Sequence, residues 1–292
     1  MISPPIQYTT TSDGVRIAFL SLGSGPPVVF ASNIFGDLHS YRIGWPASKA
    51  TTDRLVALGW QVVQYDVRSM GFSDHGVEDL SLEGRVRDLE AVVSHLGLER
   101  FALGGTDIGA ATAIAYAVNN DEVLSALVLV SPWASGARRL QIPRLRAAYL
   151  ATPMADDDPK LFASIIGSVA TAFEDSDLVR LFAESFPQTT TAAGLAAYNA
   201  ATARIDITNL LPRVKIPTLV IHESAFPFGS YELCREVAAG IPNGRLVIVN
   251  ENSIAGRVHD AIITATHRFL RSTAAGSQVP DRPTTLPATA LA

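Results

Sequence analysis

The sequence predicts an α/β fold in which a mostly parallel sheet carries helices on both faces and a helical cap is inserted into it. Short apolar segments without polar alternation are separated by segments with helical spacing, which is typical of a parallel sheet covered on both sides. This alternation stops between Trp133 and about Arg213 and then resumes. Several helices inserted into such a sheet indicate a cap, and caps commonly lie over the functional site.

Seven apolar segments predict the strands of this sheet. Turn signals at Gly23 and Gly25 separate the first two of them. The predicted strands are residues 15–22, 27–32, 60–65, 100–104, 124–130, 218–222 and 245–249.

Helices are predicted between these strands from apolar residues at helical spacing. Residues 81–96 show the pattern well, because Ser81 can cap the start and Gly97 stops the helix. Outside the insertion, the other predicted helices are one that closes at residues 55–59, then 109–118, 231–240 and 259–270.

The inserted segment and the end of the chain complete the predicted organisation. Residues 1–133 and 214–271 form the α/β core, and residues 134–213 form the helical cap. Threonine, alanine, proline and serine without a pattern predict a disordered tail over residues 272–292. Within the cap, the predicted helices are residues 144–151, 159–173, 176–186 and 192–204.

Composition limits the classes of function. The chain has 292 residues, 48% hydrophobic and 17% charged, which fits one elaborated α/β domain. A net charge of −5 without a basic block argues against nucleic-acid binding. No signal peptide is expected, and no apolar run approaches the roughly 20 residues of a membrane span. With Cys234 as the single cysteine, we expect a cytoplasmic protein without metal or cofactor.

The segment that carries the chemistry is residues 101–110 (FALGGTDIGA), where a predicted strand turns directly into a predicted helix. Gly105 and Gly109 flank Asp107 at two residues on either side. So sharp a turn holds its central residue in a strained conformation, and small residues beside it prevent backbone collisions. We therefore expect the Asp107 side chain to project at the carboxyl ends of the strands, where open α/β sheets bind ligands.

Four segments resemble the α/β-hydrolase family, and together they extend over about residues 6–270. Residues 65–74 are similar to the family's Asp-x-Arg-Gly-x-Gly-x-Ser segment, with Ser69 in place of the first glycine. Residues 105–109 resemble the nucleophile elbow, residues 216–222 the strand before the triad acid, and residues 206–212 a cap exit of this family. The resemblance implies an α/β-hydrolase fold with an eight-stranded sheet.

Several positions depart from the family's catalytic pattern. Most members have serine at the elbow, whereas Asp107 is similar to the aspartate of haloalkane dehalogenases and epoxide hydrolases, which forms an ester intermediate. The triad histidine falls near Asn252 or Ile254. The acid falls near Phe226, or within residues 131–133, where no carboxylate stands. We therefore predict that the ordinary hydrolytic relay is absent.

Among the histidines, His259 is the best remaining partner for Asp107 by position, although an exposed place at the start of the last helix is the competing interpretation. We expect His222 to be a buried structural residue. His39 lies in the loop after the third predicted strand, and we do not expect it to reach the site. We expect the other three, His75, His95 and His267, at the surface.

Candidate pocket residues lie opposite the elbow and after the central strands. Backbone N–H groups of Asn33 or Ile34, together with Ile108, are candidates for an anion hole at the helix start. An apolar ligand is indicated by four candidate lining residues, for which core packing is the alternative: Phe35, Ile108, Trp133 and Phe226.

Three functions remain open. The first is an enzyme without triad hydrolysis, in which Asp107 is a general acid or base on an apolar small molecule. Its reactions would be epoxide opening, elimination or ring closure with C–C bond formation, and the resemblance links such work to natural-product pathways. The second is an Asp-nucleophile hydrolase, an epoxide hydrolase or dehalogenase, that uses His259. The third is a non-catalytic small-molecule binding protein.

Overall fold

The computed structural model describes residues 4–33, 37–42, 46–170, 176–250 and 260–274. Eight strands form one sheet in the order β1-β2-β4-β3-β5-β6-β7-β8. In chain order they are β1 (Gln7–Thr10), β2 (Arg16–Leu22), β3 (Pro27–Ala31), β4 (Gln61–Tyr65), β5 (Phe101–Thr106), β6 (Leu124–Val130), β7 (Thr218–Glu223) and β8 (Gly244–Val249).

The sheet is parallel except at one side. β1 pairs with β2, and β2 with β4, in antiparallel orientation, whereas the pairs from β4 through β3, β5, β6 and β7 to β8 are parallel. The predicted mostly parallel, eight-stranded sheet is confirmed. The seven strands predicted from apolar segments are present, whereas β1 was missed because its sequence, QYTT, is polar and largely exposed.

Twelve α-helices are described, and most predicted helices match them within three residues at each end. They are α1 (Asp37–Arg42), α2 (Pro46–Ala57), α3 (Leu82–His95), α4 (Ile108–Ala117), α5 (Gly136–Arg139), α6 (Pro143–Ala151), α7 (Met154–Asp157), α8 (Pro159–Ala170), α9 (Ser176–Ser185), α10 (Ala192–Ala203), α11 (Tyr231–Gly240) and α12 (Asp260–Ala274).

The start of α3 agrees with the sequence prediction, whereas the end of α12 does not. The hydroxyl of Ser81 accepts a hydrogen bond from the N–H of Gly84 at 3.1 Å, so the predicted cap of α3 is present. At the other end of the chain, α12 continues to Ala274, so the first three residues of the predicted tail are helical. Residues 275–292 lie outside the described part of the chain. Within that part, no helix is long and apolar enough to cross a membrane.

Alternate residues of the strands point into two hydrophobic cores, one on each face of the sheet. Val29 and Val63 belong to the larger core, with α3, α4 and α11. Val28 and Val62 belong to the smaller core, with α2 and α12. Because both faces are covered, the strands have no polar alternation, which is the pattern that the sequence showed.

The cap follows β6 and consists of α5 to α10, with a small core of its own around Phe162, Phe182 and Phe186. Its two ends meet where Gly136 donates a backbone hydrogen bond to Ile205. The cap therefore begins and ends close together, at the carboxyl ends of the central strands.

Candidate functional site

Asp107 occupies the turn between β5 and α4 with φ 53° and ψ −116°, a left-handed conformation that residues other than glycine rarely adopt. A Cβ on Gly105 would lie 2.5 Å from the carbonyl of Gly109, and one on Gly109 would lie 2.2 Å from the carbonyl oxygen of Ala31. The two glycines are therefore required by close backbone approach, as the sequence predicted, and the turn has the geometry of a nucleophile elbow.

The carboxylate of Asp107 is held by two residues from the segment after β6. Arg139 donates from Nε to Oδ1 at 2.7 Å and from Nη2 to Oδ2 at 2.5 Å, and Trp133 donates from Nε1 to Oδ1 at 2.7 Å. The Asp107 and Arg139 residues are 6% and 7% exposed. Bidentate, charge-assisted hydrogen bonds of this kind are among the strongest in proteins.

Arg139 is positioned by the close packing of α5 against α10. The N–H of Gly136 donates to the carbonyl of Ile205 at 2.8 Å, and a Cβ on Gly136 would lie 2.1 Å from the carbonyl oxygen of Thr202. A glycine at the start of α5 is thus needed to bring the helix against α10. Arg139, the last residue of α5, then reaches Asp107.

A second aromatic residue lies close to this ion pair. Tyr198 of α10 is 1% exposed, and the guanidinium of Arg85 stacks on its ring at 4.1 Å. Burial raises the pKa of Tyr198 to about 12, so its hydroxyl stays protonated at neutral pH. It therefore contributes packing and a neutral hydroxyl rather than a charge.

The ion pair lies in the wall of a cavity of about 340 Å³, which has the volume of a small-molecule site. The cap provides most of its apolar wall, and the sheet face between α2 and α12 provides the rest. The apolar lining residues of the cap include Leu140, Tyr149, Phe162, Ile166, Phe182, Phe186 and Leu195.

Polar side chains interrupt the part of the cavity that lies against the sheet. Gln64 of β4, Thr106 of β5 and Glu223 of β7 line it, together with Thr52 of α2 and Thr266 of α12. Gln64 and Glu223 are 6% and 5% exposed. The cavity is therefore mostly apolar, with polar groups at Asp107 and at both ends of the sheet-facing part.

The structure brings together some of the predicted pocket residues. Asn33 and Phe226 line the cavity with Asp107. The side chain of Ile108 is instead fully buried in the larger core, so its predicted pocket position is corrected to a core position. Trp133 is also buried there, and it reaches the site through its indole N–H rather than as an apolar wall.

Three further predicted residues, Ile34, Phe35 and His259, lie outside the described part of the chain. The anion hole proposed for the backbone N–H groups of Asn33 or Ile34 with Ile108 stays a prediction.

Of the described histidine side chains, none lines the cavity. His222 is buried in β7 with its Nδ1 3.7 Å from the thiol of Cys234, and burial lowers the pKa of this histidine. His267 accepts at Nδ1 from the indole N–H of Trp60 at 3.0 Å, so it is partly buried and not the surface residue that we predicted. His75 and His95 are exposed, as predicted. The side chain of His39 is not among those described.

Arg139, Glu223 and Gln64 are site residues that the sequence interpretation missed. β7 continues to Glu223, whereas the sequence predicts a strand that ends at His222 and an acid position near Phe226. Gln64 and Glu223 are polar residues in otherwise apolar strands, and this was the signal in the sequence that could have identified them as site residues. Among the described residues, no group of three His, Cys, Asp or Glu side chains could hold a metal ion.

Known proteins resemble this chain over most of its length. A family model described as alpha/beta hydrolase fold matches residues 26–253. The AB hydrolase superfamily protein YisY of Bacillus subtilis (strain 168) is 24% identical over 255 residues, which are 82% of this chain and 89% of YisY. Epoxide hydrolase 2 of Siraitia grosvenorii is 29% identical over 129 residues, 43% of this chain and 39% of that protein.

Solved structures show the same architecture. A thermophilic esterase from Thermogutta terrifontis has a TM-score of 0.73 and 20% sequence identity, over 92% of this chain and 99% of the esterase. At this identity the likeness concerns the fold alone, and the chemistry has to be argued from the side chains of the site.

Proposed function

Because the chain belongs to the α/β-hydrolase fold family, we propose that it is an enzyme that uses the Asp107–Arg139 pair as one catalytic unit on a largely apolar small molecule with a carbonyl group. Asp107 is the general base, and Arg139 binds the oxygen on which negative charge develops. The observation that carries this proposal is the bidentate pair itself, formed at the elbow and in the wall of the cavity.

The hydrogen bonds of Asp107 favour a base over a nucleophile. Oδ1 accepts from both Trp133 and Arg139, and Oδ2 accepts from Arg139. Donors on both oxygens fix and crowd the carboxylate, which hinders approach to a carbon atom more than acceptance of a proton. Oδ2 has a further lone pair, so it can still accept a proton. A general acid would need a proton on a carboxylate that already accepts three hydrogen bonds, so this geometry also disfavours that alternative.

The charges of the pair suit removal of a proton next to a carbonyl. The substrate C–H bond breaks, its proton moves to Oδ2 of Asp107, and the electron pair moves to the carbonyl oxygen as an enolate. Arg139 then loses its anionic partner at Asp107 and gains one at the enolate oxygen. The buried guanidinium is therefore never left without a counterion, and that avoids a large desolvation penalty.

The enolate has three outcomes that need no activated water. It can take the proton back at carbon, expel a group from the adjacent carbon, or attack a second electrophilic carbon such as a carbonyl or an epoxide to form a ring. Elimination and ring closure are the reactions expected from the sequence, and the apolar cap favours a largely hydrocarbon substrate. Such reactions fit a role in natural-product biosynthesis.

Deuterium exchange tests this proposal without knowledge of the natural substrate. 2-Tetralone in D₂O reports proton removal next to its carbonyl, measured by mass spectrometry above the rate in buffer. We expect the wild type to accelerate exchange and Asp107→Asn to lower the rate at least about 10²-fold, which is typical for loss of a general base. Asp206→Asn is the control, since Asp206 is absent from the cavity wall and accepts a hydrogen bond from Thr208.

Equal exchange by the wild type and Asp107→Asn would contradict the proposal. If Asp107→Asn also kept its affinity for 2-tetralone, a non-catalytic binding protein would be the better interpretation.

An Asp-nucleophile hydrolase is the second candidate, and the likeness to Epoxide hydrolase 2 favours it. It needs a base that activates water, for which the chain offers His259 or the cavity carboxylate of Glu223. Repeated turnover of styrene oxide in ¹⁸O-labelled water would then place the label in the Asp107 carboxylate. Diol formation without label in Asp107 would exclude the ester intermediate.

A further inference from the structure

Gln64 is an unusual residue for its position in the fold. It is the penultimate residue of β4, between the apolar residues Val63 and Tyr65, and its side chain faces α2 rather than the larger core. At 6% exposure it is almost fully buried. A primary amide in such a place normally finds hydrogen-bond partners within the protein.

One end of the Gln64 amide has no such partner among the described residues. Its Oε1 is buried and accepts no hydrogen bond from the described residues. A buried polar group without a partner destabilises the folded state. Since the Gln64 side chain lines the cavity, a molecule bound there can come within hydrogen-bond reach of the amide.

The surroundings of Gln64 form a polar end of the cavity. Thr52 and Ser48 of α2 line the same end, and the hydroxyl of Thr52 donates to the carbonyl of Ser48 at 2.9 Å, which leaves its oxygen able to accept. Phe30 of β3 lies beside Gln64 in register. The ring of Phe30 extends over Gly104, where a Cβ would lie 2.7 Å from it. This end therefore offers hydrogen bonds next to an aromatic face.

Gln64 and Asp107 are separated by a distance that one elongated molecule can span. Phe30 of β3 is the register partner of both Gln64 in β4 and Gly104 in β5. Two strand spacings therefore separate Gln64 from Gly104. Each spacing across the strands is about 4.8 Å, and along β5 three residues of about 3.3 Å each separate Gly104 from Asp107. Because the two directions are perpendicular, the α-carbons of Gln64 and Asp107 are about 14 Å apart.

We propose that Gln64 forms a subsite for a hydroxyl group at the end of the ligand remote from Asp107. A hydroxyl both donates and accepts, so it can pair with either end of the amide. The ligand is then an elongated, mostly apolar molecule with an oxygen function near Arg139 and a hydroxyl about two aromatic rings away. This inference deepens the proposed function, on which it rests for the orientation of the ligand.

Affinities of two matched probes test the subsite by isothermal titration calorimetry. Biphenyl-4-carboxylate and 4′-hydroxybiphenyl-4-carboxylate share the carboxylate that would face Arg139 and differ in the remote hydroxyl. We expect the wild type to bind the hydroxylated probe about three- to tenfold more tightly, the effect of one net hydrogen bond. Gln64→Met, which keeps the side-chain length and removes the amide, should lower this preference to about one.

Gln61→Met is the matched control on the same strand. Gln61 is on the opposite face of β4, outside the cavity wall, and donates to Ser21 at 2.9 Å. This variant should keep the wild-type preference. Equal binding of both probes to the wild type, or an unchanged preference in Gln64→Met, would overturn the subsite.

A further probe keeps the test decisive if Gln64→Met does not fold. The 2′-hydroxy isomer places its hydroxyl away from Gln64, so its affinity for the wild type should match that of the unsubstituted probe. A gain equal to that of the 4′ isomer would contradict the subsite. No proton transfer takes part in these affinities, so a failure of exchange in 2-tetralone bears on the proposed function alone.

Discussion

Two buried aspartate–arginine pairs lie in the described part of the chain, and they differ in what else surrounds the arginine. Arg68 is fully buried and donates to Asp88 at 2.9 Å, to both oxygens of Asp13 at 2.8 and 3.1 Å, and to the carbonyl of Asp79 at 3.2 Å. The N–H of Arg68 also donates to Asp88. The donors of this guanidinium are thus used within the protein.

Arg139, in contrast, uses only part of its hydrogen-bond donors within the described part of the protein. Two of its five N–H groups donate to Asp107, and among the described residues no acceptor pairs with the other three. It also lines the cavity of about 340 Å³, and Arg68 is not part of that wall. A saturated arginine stabilises the fold, while an arginine with remaining donors on a cavity wall has capacity to bind a ligand. The number of donors in use thus distinguishes the two roles better than burial does.

The largest expected effect is loss of stability on replacement of the saturated arginine. Arg68→Met leaves Asp88 buried without its cation, so we expect the free energy of unfolding to fall by about 3–5 kcal/mol. Arg139→Met should lower it by only about 1–2 kcal/mol, because water in the cavity can solvate Asp107. Urea denaturation with a fitted m-value measures both.

The rate of deuterium exchange in 2-tetralone should rank the two variants in the reverse order, with the larger loss in Arg139→Met. Arg139→Met should abolish exchange, whereas folded Arg68→Met should retain it. Equal losses of stability in the two variants would contradict the distinction between the pairs.

Asp66 extends the comparison to a buried carboxylate without a cation. Among the described residues it accepts hydrogen bonds from the backbone N–H groups of Leu38 and Phe72 at 3.0 and 2.9 Å and forms no ion pair. Burial raises the pKa of Asp66 to about 7, above the value of about 3.9 in an unfolded chain. Between these values the native state binds a proton that the unfolded state does not, so stability falls as pH rises.

A variant isolates this contribution. The difference in free energy of unfolding between the wild type and Asp66→Asn should decrease by about 1.4 kcal/mol per pH unit from about pH 4 to about pH 7, as measured by urea denaturation across that window. Asp206→Asn is the control, because hydrogen bonds from Thr208 lower the pKa of Asp206, the opposite direction to that of Asp66. A flat difference for Asp66→Asn would show that Asp66 is ionised throughout.

The sequence was sufficient for the fold and for the elbow because both depend on local patterns. Apolar runs specify buried strands, and Gly105 and Gly109 specify the turn through backbone contacts only a few residues apart. Ser69 adopts φ 63°, the left-handed conformation that suits the glycine expected there from the family segment. Its hydroxyl accepts from the N–H of Val77 at 3.0 Å, which offsets the strain.

The rest of the site depends on contacts that no local pattern reports. Arg139 is 32 residues from Asp107 in sequence and belongs to a four-residue helix too short for periodicity to reveal. Gln64 and Glu223 are separated by four strand spacings, and only the order of strands in the sheet shows that they share one cavity. Pairing partners and strand order are tertiary properties, so the anion at Asp107 was predictable and its cation was not.

The smallest expected effect comes from a substitution at Gly136, at the start of α5. It tests how accurately Arg139 has to be positioned for the ion pair to function. In Gly136→Ala the new methyl group meets the backbone carbonyl of Thr202, which cannot move without α10, so α5 must shift and carry Arg139 with it. We expect about 1–3 kcal/mol of lost stability and about tenfold slower exchange of 2-tetralone, since small displacements of catalytic groups are costly. Gly194→Ala is the control: its methyl group meets chiefly the side-chain oxygen of Thr190, which can rotate away. If Gly136→Ala exchanged at the wild-type rate, Arg139 would tolerate displacement and could not be the group that holds the enolate.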